Sequence, residues 1–440
     1  MEMPVAAPEP TLELTPAARV GKAAKQSLTQ PQNRPATMSP ALVVLVLSML
    51  LGIQPVTTDL YLPALPGLTS GFGAPTSQAQ LTLSALLLAF GCSQLVWGPL
   101  SDRFGRRPIL LCGLAVYVLA SIGSVLAPSM AMLIVWRVLQ GAAMGAAVMG
   151  ARAMLRDLYL PADGARIMSK GASGLGVLAA ISAPLGAVLA EWFGWRAALL
   201  AVTVFGIFAL ALVALKFQET LGQKNLQALR PANVLRTWAV IFSNPTFLAF
   251  SALSGASYAG LFTFLAASSF VFIKVLGLSR PQYGALMFFM CLSYLVGTFL
   301  CRWLLVRLGV RKTVGFAAGL TLLGGTLMGA LAWAGVSNMW AVILPFYLYM
   351  VGHGVHQPCG QSGAVGPFPH AAGAASAMNG FLMMLMAFAM GGWLGTRMDG
   401  TVLPLTNGVW FWSICIAVSA WTLVRKYGDP AATAVPPGGA

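Results

Sequence analysis

Asp59 lies well within a long apolar stretch of this sequence, whereas the other acidic residues fall in polar tails or short connections. An ionisable side chain at membrane depth is costly and is by default a functional candidate, because a carboxyl group there can exchange a proton or bind a polar substrate group. Pro55, Pro63 and Pro66 flank it and favour a helix break that opens the backbone to a cavity. The alternative is structural: Asp59 lies near the outer interface and caps a helix end.

Arg137 lies inside another apolar stretch and is a second candidate for proton coupling. A guanidinium keeps its charge in a protein, so at this depth it needs acceptors or water. A fixed positive charge near a protonatable Asp disfavours protonation of the acid, and substrate arrival or helix movement would then shift the balance. The alternative is that Arg137 bonds backbone carbonyls and stabilises the N-terminal part of the fold. The two roles are compatible.

A short polar stretch from Gly98 to Pro108 joins two apolar stretches and concentrates four charges. Its glycines permit tight turning, and Asp102 can pair with one of the neighbouring arginines. Such pairing would hold the ends of adjacent helices together in one conformation and release them in another. The predicted conformational-switch residues are Gly98, Asp102, Arg103, Gly105, Arg106 and Arg107.

His353, His356 and Cys359 recur at a spacing of three residues, which places them near one helix face. We expect them to line a cavity or handle protons, with helix packing as the alternative. Metal binding is less favoured because the face drifts by about 60° per step and Pro358 interrupts it. No metal and no cofactor are predicted.

Polar, aromatic and methionine side chains within the apolar stretches are candidates for a substrate cavity, because methionine-rich surfaces repack around varied ligands. Packing within a helical bundle is the alternative for each aromatic residue and methionine. The predicted cavity residues are Gln54, Tyr61, Met144, Tyr258, Phe262, His353, His356, Gln357 and Asn379.

Twelve apolar segments must position these residues. The chain is 58% hydrophobic and only 8% charged, far below the roughly 25% charge of a soluble domain. A membrane-spanning helix needs about 20 apolar residues. The predicted spans are 41–62, 79–99, 109–127, 131–151, 167–190, 196–216, 246–270, 283–305, 313–334, 339–360, 373–395 and 402–424.

The net charge of +15 is explained by topology and not by nucleic-acid binding. Of the 26 Lys and Arg residues, only Arg196, Lys274, Arg280 and Arg397 fall on one side of these spans, and Arg137 lies within one. By the positive-inside rule, the other side and both termini face the cytoplasm. Residues 1–37 carry no apolar segment typical of a cleaved signal peptide. We expect the six cysteines to be free thiols, since no secreted-protein spacing is present.

The chain also contains an internal repeat. Residues 102–107 align with residues 306–311 at an offset of 204, and the same offset relates the starts of other predicted spans. Repeated halves are typical of transporter folds. The predicted organisation is a disordered cytoplasmic tail (1–40), a six-helix half (41–217), a central cytoplasmic loop (218–245), a second six-helix half (246–425) and a cytoplasmic C-terminal tail (426–440).

The stretch Gly98–Pro108 resembles the signature loop of the major facilitator superfamily of secondary transporters. Asp59–Pro66, Arg137–Gly141 and Phe368–Gly373, followed by Ala375–Ala377, resemble motifs of its bicyclomycin/chloramphenicol-resistance (Bcr/CflA) branch of drug:proton antiporters. The resemblance implies a monomer in which the first, fourth, seventh and tenth helices line a central cavity. It also implies a coupling role for the arginine of the fourth-helix motif.

The fifth span departs from that branch. Where the branch usually carries Gly-Pro before Gly194-Trp195-Arg196, this chain has Ser182-Ala183, and the proline is displaced to Pro184. This departure weakens the prediction of antiport and leaves the prediction of a transporter intact.

We therefore predict an all-α polytopic membrane protein of about twelve helices in two pseudo-symmetric bundles. Its predicted function is export of drug-like hydrophobic or amphipathic molecules in exchange for protons across a bacterial inner membrane. The alternative on the same fold is an uptake symporter or uniporter for a small nutrient or metabolite. A membrane-embedded enzyme would need a metal or an acid/base pair at depth, and a channel or receptor fits the repeated halves less well.

Overall fold

Helices dominate the chain because long apolar segments in a membrane must satisfy their backbone hydrogen bonds internally. The structure is a computed structural model that describes residues 38–159, 161–222, 224 and 228–428. The described residues from Pro40 to Gly428 form one compact unit, and of the residues that precede it only Met38 and Ser39 are described. The remainder of the predicted N-terminal tail and residues 429–440 lie outside the described residues.

Among the described residues, eleven helical stretches form the long helices of this unit. One of these stretches comprises two helices. They are α1 Pro40–Asp59, α2 Thr76–Phe104, α3 Arg106–Leu126, α4 Met130–Leu158, α5 Pro161–Trp192, α6 Trp195–Lys216, α7 Pro245–Ser269, Arg280–Trp333 (comprising α8 and α9), α10 Met339–Val365, α11 Ala372–Arg397 and α12 Leu403–Val418. One π-helical turn extends α7 over Phe270–Val275, and another extends α12 over Ser419–Val424. Among the described residues, ten helical stretches are long and apolar enough to cross a membrane.

The stretch Arg280–Trp333 counts once among those ten, although Gly309 divides it with a backbone φ of 70°. Residues 280–308 are α8 and residues 310–333 are α9. Helix α10, with 27 residues, is not among the ten, because its two histidines and its glutamines lower its hydropathy. The predicted all-α fold of about twelve helices is thus confirmed, with helices extending a few residues beyond most predicted spans.

Glycines at equivalent places in the repeat turn the chain between successive helices. Gly105 separates α2 from α3 with φ 113°, and Gly309, at the repeat offset of 204, separates α8 from α9 with φ 70°. Positive φ values are strained for residues that carry a Cβ, so both positions require glycine. We call the face of the bundle that carries these two turns the loop face, and the other end the opposite face.

The first span is interrupted where the sequence predicts a break. Helix α1 ends at Asp59, and the chain continues as a 3-10 turn over Leu62–Ala64 and a short helix over Leu65–Phe72. Pro63 and Pro66 have no N–H group to donate to the preceding turn, so a regular helix cannot continue through them. The break falls 20 residues into a 33-residue span, so Asp59 lies roughly 28 Å along the helix axis from its loop-face end.

We call α1–α6 the N-terminal half and α7–α12 the C-terminal half. The halves meet along two helix pairs, α2 with α11 and α5 with α8. Small residues permit this approach: a Cβ at Gly284 of α8 would lie 3.0 Å from Pro184 Cα, and one at Gly91 of α2 would lie 2.6 Å from Met384 Cβ. The displaced proline of the fifth span therefore lies at a seam between the halves.

The predicted central loop contains a helix, Pro231–Phe242, that the sequence analysis did not identify. It contacts α11 and α7 on the loop face. Part of this loop, residues 223 and 225–227, lies outside the described residues.

Candidate functional site

Asp59 occupies the last helical position of α1 and is partly buried. Its Oδ1 accepts a hydrogen bond from Thr58 Oγ1 at 2.8 Å, and it forms no ion pair among the described residues. Gln54, which precedes it on α1, hydrogen-bonds to Tyr258 of α7, and the turn Leu62–Ala64 that follows it contacts α7 and α8. The carboxyl group is therefore at a helix break between the two halves.

Arg137 is fully buried inside the N-terminal half. Its Nη1 donates to Gln140 Oε1 at 2.7 Å and its Nη2 to the Thr57 carbonyl at 3.4 Å, while its carbon Cζ lies 4.0 Å from the ring centroid of Tyr61. Gln140 in turn donates to Ser121 Oγ at 2.6 Å. The guanidinium thus ties α4 to α1 and, through Gln140, to α3.

The spacing of the motif from Arg137 to Gly141 follows from this packing. Arg137 and Gln140 lie one helical turn apart and hydrogen-bond to each other. Gly141 allows α2 to approach α4 closely, since a Cβ there would lie 2.0 Å from the Leu86 carbonyl oxygen. The structure does not bring Arg137 and Asp59 into an ion pair. Arg137 stacks on Tyr61 instead.

Several predicted cavity residues converge on one turn of α7. Tyr258 Oη accepts from Gln54 Nε2 at 3.2 Å, which joins the two halves. His353 Nδ1 lies 2.8 Å from Ser257 Oγ, Gln357 Nε2 donates to the Ser254 carbonyl at 3.0 Å, and Asn379 Oδ1 accepts from Ser254 Oγ at 3.0 Å. This polar layer unites residues from α1, α7, α10 and α11.

The other predicted cavity residues are enclosed by neighbouring helices. Met144, Phe262 and Tyr61 are fully buried, and Tyr61 Oη lies 2.8 Å from Thr82 Oγ1. His356 is also fully buried, and within the part of the chain that the structure describes neither of its ring nitrogens has a hydrogen-bond partner. Among the described residues, no group of three or more His, Cys, Asp or Glu side chains could hold a metal ion.

The loop between α2 and α3 is held by a buried arginine. Arg106 pairs with Asp102 at 2.6 Å and with Asp157 of α4 at 2.8 Å, and it also donates to Ser101 Oγ. The pairing expected for Asp102 is thus found with Arg106. By contrast, Arg103 lies over the Phe104 ring, and Arg107 donates to the Ala214 carbonyl.

Asp157 and Glu219 belong to this cluster although the sequence analysis did not select them. Glu219, which follows α6, accepts from the backbone N–H groups of Arg106 at 2.9 Å and Arg107 at 3.1 Å. It therefore caps the start of α3, where a negative charge is favourable. Gly105 is also needed for this contact, because a Cβ there would lie 2.6 Å from Glu219 Oε2.

The opposite face carries a second cluster that joins the halves. Arg280 at the start of α8 pairs with Glu191 at the end of α5 at 2.8 Å, and Lys274 donates to Thr69 Oγ1 at 2.9 Å. We call the Arg280–Glu191 pair and the Lys274–Thr69 bond the opposite-face latch. A cavity of about 500 Å³ adjoins it.

A cavity of about 440 Å³ lies at the loop face between α2, α4, α11 and the helix Pro231–Phe242. We call it the loop-face cavity. Its lining includes Gln94, Asp102, Arg106, Arg156, Asn233, Thr237, Trp238 and Gly373. None of the predicted substrate-cavity residues lines it or the cavity beside the latch.

Two repeated bundles of long apolar helices, with a polar layer on α7 that reaches the N-terminal half through Gln54, are typical of a multi-pass membrane transporter. The chain belongs to the Major Facilitator Superfamily, because the sequence model of that family matches residues 45–392. The family comprises transporters, so the chain is a transporter and not an enzyme.

Relatives confirm the resemblance to the drug-resistance branch. Multidrug resistance protein D of Escherichia coli is 30% identical over 342 residues, which cover 77% of this chain and 85% of that protein. The bicyclomycin resistance protein homolog of Haemophilus influenzae is 25% identical over 86% of this chain and 94% of its own length. The crystal structure of a D-xylose–proton symporter superposes with a TM-score of 0.70 at 16% identity, covering 87% of this chain and 96% of that one, and shows the shared fold.

Proposed function

We propose that this protein exports drug-like hydrophobic or amphipathic molecules in exchange for protons, as a monomer in a bacterial inner membrane. The names of its relatives support multidrug export as the function. The observation that carries proton exchange is the carboxyl group of Asp59, which lies at a helix break between the halves without a cationic partner among the described residues. A carboxyl group without a fixed countercharge can gain and lose a proton as its surroundings change.

In this mechanism Asp59 binds a proton when the opposite face is open and releases it when the loop face is open. The turn that follows Asp59 contacts α7 and α8 of the C-terminal half, so movement between the halves changes the polarity around the carboxyl group. Arg137 is the fixed charge of the N-terminal half, and it holds α1 in place through the Thr57 carbonyl and the Tyr61 ring.

The substrate would occupy the space between the halves beside the polar layer on α7. Gln54 and Tyr258 bridge the halves there, while His353, Gln357 and Asn379 supply hydrogen-bonding groups from the C-terminal half. Separation of the halves would free Gln54 and Tyr258 to bind a ligand. The buried residues Met144, Phe262 and His356 would be reached only after helix movement.

We propose that the loop face is cytoplasmic. The charges of the described residues support this orientation, because loop-face helix ends carry most of the Lys and Arg residues. Both termini would then be cytoplasmic, and the opposite-face latch would close the external side.

A transport assay in liposomes tests the proposed function. The purified protein is reconstituted, a pH gradient is imposed, and drug movement and internal pH are followed together. We expect drug to move against its gradient while protons move the other way. Drug movement in the same direction as the protons would support uptake by symport and contradict the proposal.

The Asp102–Arg106 contact leads to a prediction about switching. Asp102→Asn is expected to slow turnover several-fold with little change in substrate affinity, because Arg106 keeps Asp157 but loses one of its two carboxylate partners. Initial rates over a range of drug concentrations measure both quantities. Asp163→Asn, an acidic residue elsewhere on the loop face, is the matched control, and unchanged turnover in Asp102→Asn would contradict a switching role.

The opposite-face latch leads to a second prediction. Glu191→Gln is expected to increase the population of molecules open on the opposite face, because an exposed ion pair contributes about 0.2–1 kcal/mol and its loss shifts a two-state equilibrium up to about five-fold. The distance between spin labels placed at the end of α5 and at the start of α8 measures this population. Asp399→Asn at the same face is the control, and an unchanged distance distribution would argue against a latch.

A further inference from the structure

The charged side chains that line the loop-face cavity are Asp102, Arg106 and Arg156, and of these only Arg156 has no partner of opposite charge among the described residues. Asp102 and Arg106 both line the cavity, but they pair with each other, and Asp157 also pairs with Arg106. Arg156 lines it as well and has no ion pair or hydrogen bond to any residue that the structure describes. The cavity therefore contains one exposed guanidinium that has no direct carboxylate partner among the described residues.

A second arginine adds to this charge from one turn earlier on α4. Arg152 Nη1 donates to Ser376 Oγ of α11 at 2.8 Å, and Arg152 forms no ion pair among the described residues. Arg152 and Arg156 are four residues apart on α4, so their like charges lie on the same side of the helix. Two like charges held together without a carboxylate between them favour an anion nearby.

Gly373 leaves space for the Arg156 guanidinium. A Cβ at this position would lie 2.8 Å from Arg156 Nη1, so any larger residue would displace the guanidinium. Gly373 is in the first turn of α11, which carries no acidic residue. The positive end of that helix thus adds to the charge of the two arginines instead of opposing it.

The rest of the lining suits an organic molecule and not a bare ion. Trp238 supplies an aromatic surface, and Gln94, Asn233 and Thr237 supply polar groups. A volume of about 440 Å³ lies within the range of small-molecule sites. The cavity is formed by both halves and the helix Pro231–Phe242, so a molecule bound there contacts both moving parts of the protein.

We propose that the loop-face cavity is a binding site for soluble aromatic molecules that carry a carboxylate or a similar anionic group, and that it discriminates against cations. This deepens the proposed function, on which it rests only for the direction of transport: the site would be where an exported molecule first binds. Arg156 contacts the anionic group, and Trp238 contacts the aromatic ring.

Binding of matched naphthalene derivatives tests this site without any transport. Calorimetric titration of the full-length protein in phosphatidylcholine nanodiscs would use 2-naphthoate, the neutral 2-naphthamide and the cation 2-naphthylmethylammonium. We expect 2-naphthoate to bind most tightly and the cation most weakly. Arg156→Gln is expected to weaken 2-naphthoate roughly 10- to 100-fold, as for loss of one charge-assisted hydrogen bond.

Three controls keep the test specific. Arg156→Lys should retain part of the affinity, and Arg302→Gln, an arginine near the loop-face end of α8 outside the cavity, should retain all of it. Equal binding of the cation and the anion, or unchanged affinity in Arg156→Gln, would overturn the proposal. Loss of 2-naphthoate binding in discs containing phosphatidylglycerol would also overturn it, because a lipid headgroup would then be the occupant.

The outcome is independent of the transport assay. Export that does not depend on Arg156 together with unselective binding would remove this site and leave the proposed function. Selective, Arg156-dependent binding without proton-coupled export would leave the site and remove the proposed function.

Discussion

Asp59→Asn is expected to abolish drug export driven by a proton gradient while leaving the protein folded and able to bind drug. Asparagine has nearly the same shape and still accepts a hydrogen bond from Thr58 Oγ1, but it cannot bind and release a proton. The contacts that position the end of α1 are therefore kept, and only the chemistry is removed. Drug flux and internal pH in liposomes, recorded together, measure the loss.

The controls for this variant separate coupling from folding. Asp399→Asn removes a carboxylate from a short connection on the opposite face, where it accepts hydrogen bonds from Thr401, and should leave export intact. Asp59→Glu restores a titratable group and should recover part of the export. Normal export by Asp59→Asn would exclude this carboxyl group from the mechanism.

Arg137→Ala is expected to lower the thermal stability of the protein and to stop transport. The substitution removes a fully buried guanidinium and leaves Gln140 Oε1 and the Thr57 carbonyl without their donor. Each buried group left unsatisfied costs about 1–3 kcal/mol, and the contact with the Tyr61 ring is lost as well. Thermal melts of the purified protein measure the stability, and transport is assayed below the melting temperature.

The matched variants distinguish the structural role of Arg137 from a role in coupling. Arg137→Lys keeps the charge and can donate to one acceptor, so it should melt between the wild type and Arg137→Ala. Arg397 lies at the opposite-face end of α11, and the variant Arg397→Ala should melt at the same temperature as the wild type. If a folded Arg137→Lys protein binds drug but no longer moves protons, Arg137 acts in coupling. An Arg137→Ala protein with unchanged thermal stability would contradict a stabilising role for the hydrogen bonds of Arg137 with Gln140 and Thr57.

Features encoded in neighbouring residues could be predicted from the sequence. The spans follow from runs of apolar residues, and the break at Asp59 follows from Pro63 and Pro66. The Asp102–Arg106 pair joins residues four apart, which are neighbours on a helical turn and therefore accessible to sequence reasoning.

Contacts between distant segments could not be predicted in this way. Asp157 and Glu219 meet Arg106 from 51 and 113 residues away, and nothing in their immediate sequence indicates that partner. Spacing in the sequence also does not show whether Arg137 pairs with Asp59. In the structure the Arg137 guanidinium lies against the Tyr61 ring instead. Residue type alone predicts the cavity residues, whereas rotation of each helix about its axis determines which of them face the space between the halves.

The turns at Gly105 and Gly309 both have a glycine with positive φ, but the charged residues around them differ. At the repeat offset, the positions of Asp102 and Arg106 hold Val306 and Val310, so the second turn has no equivalent ion pair. The ion pairs of Arg106 brace the loop-face turn of the N-terminal half, whereas valines replace Asp102 and Arg106 in the corresponding turn of the C-terminal half. We therefore expect the two halves to deform unequally during the transport cycle. The N-terminal half would move as a rigid body, and the C-terminal half would bend more.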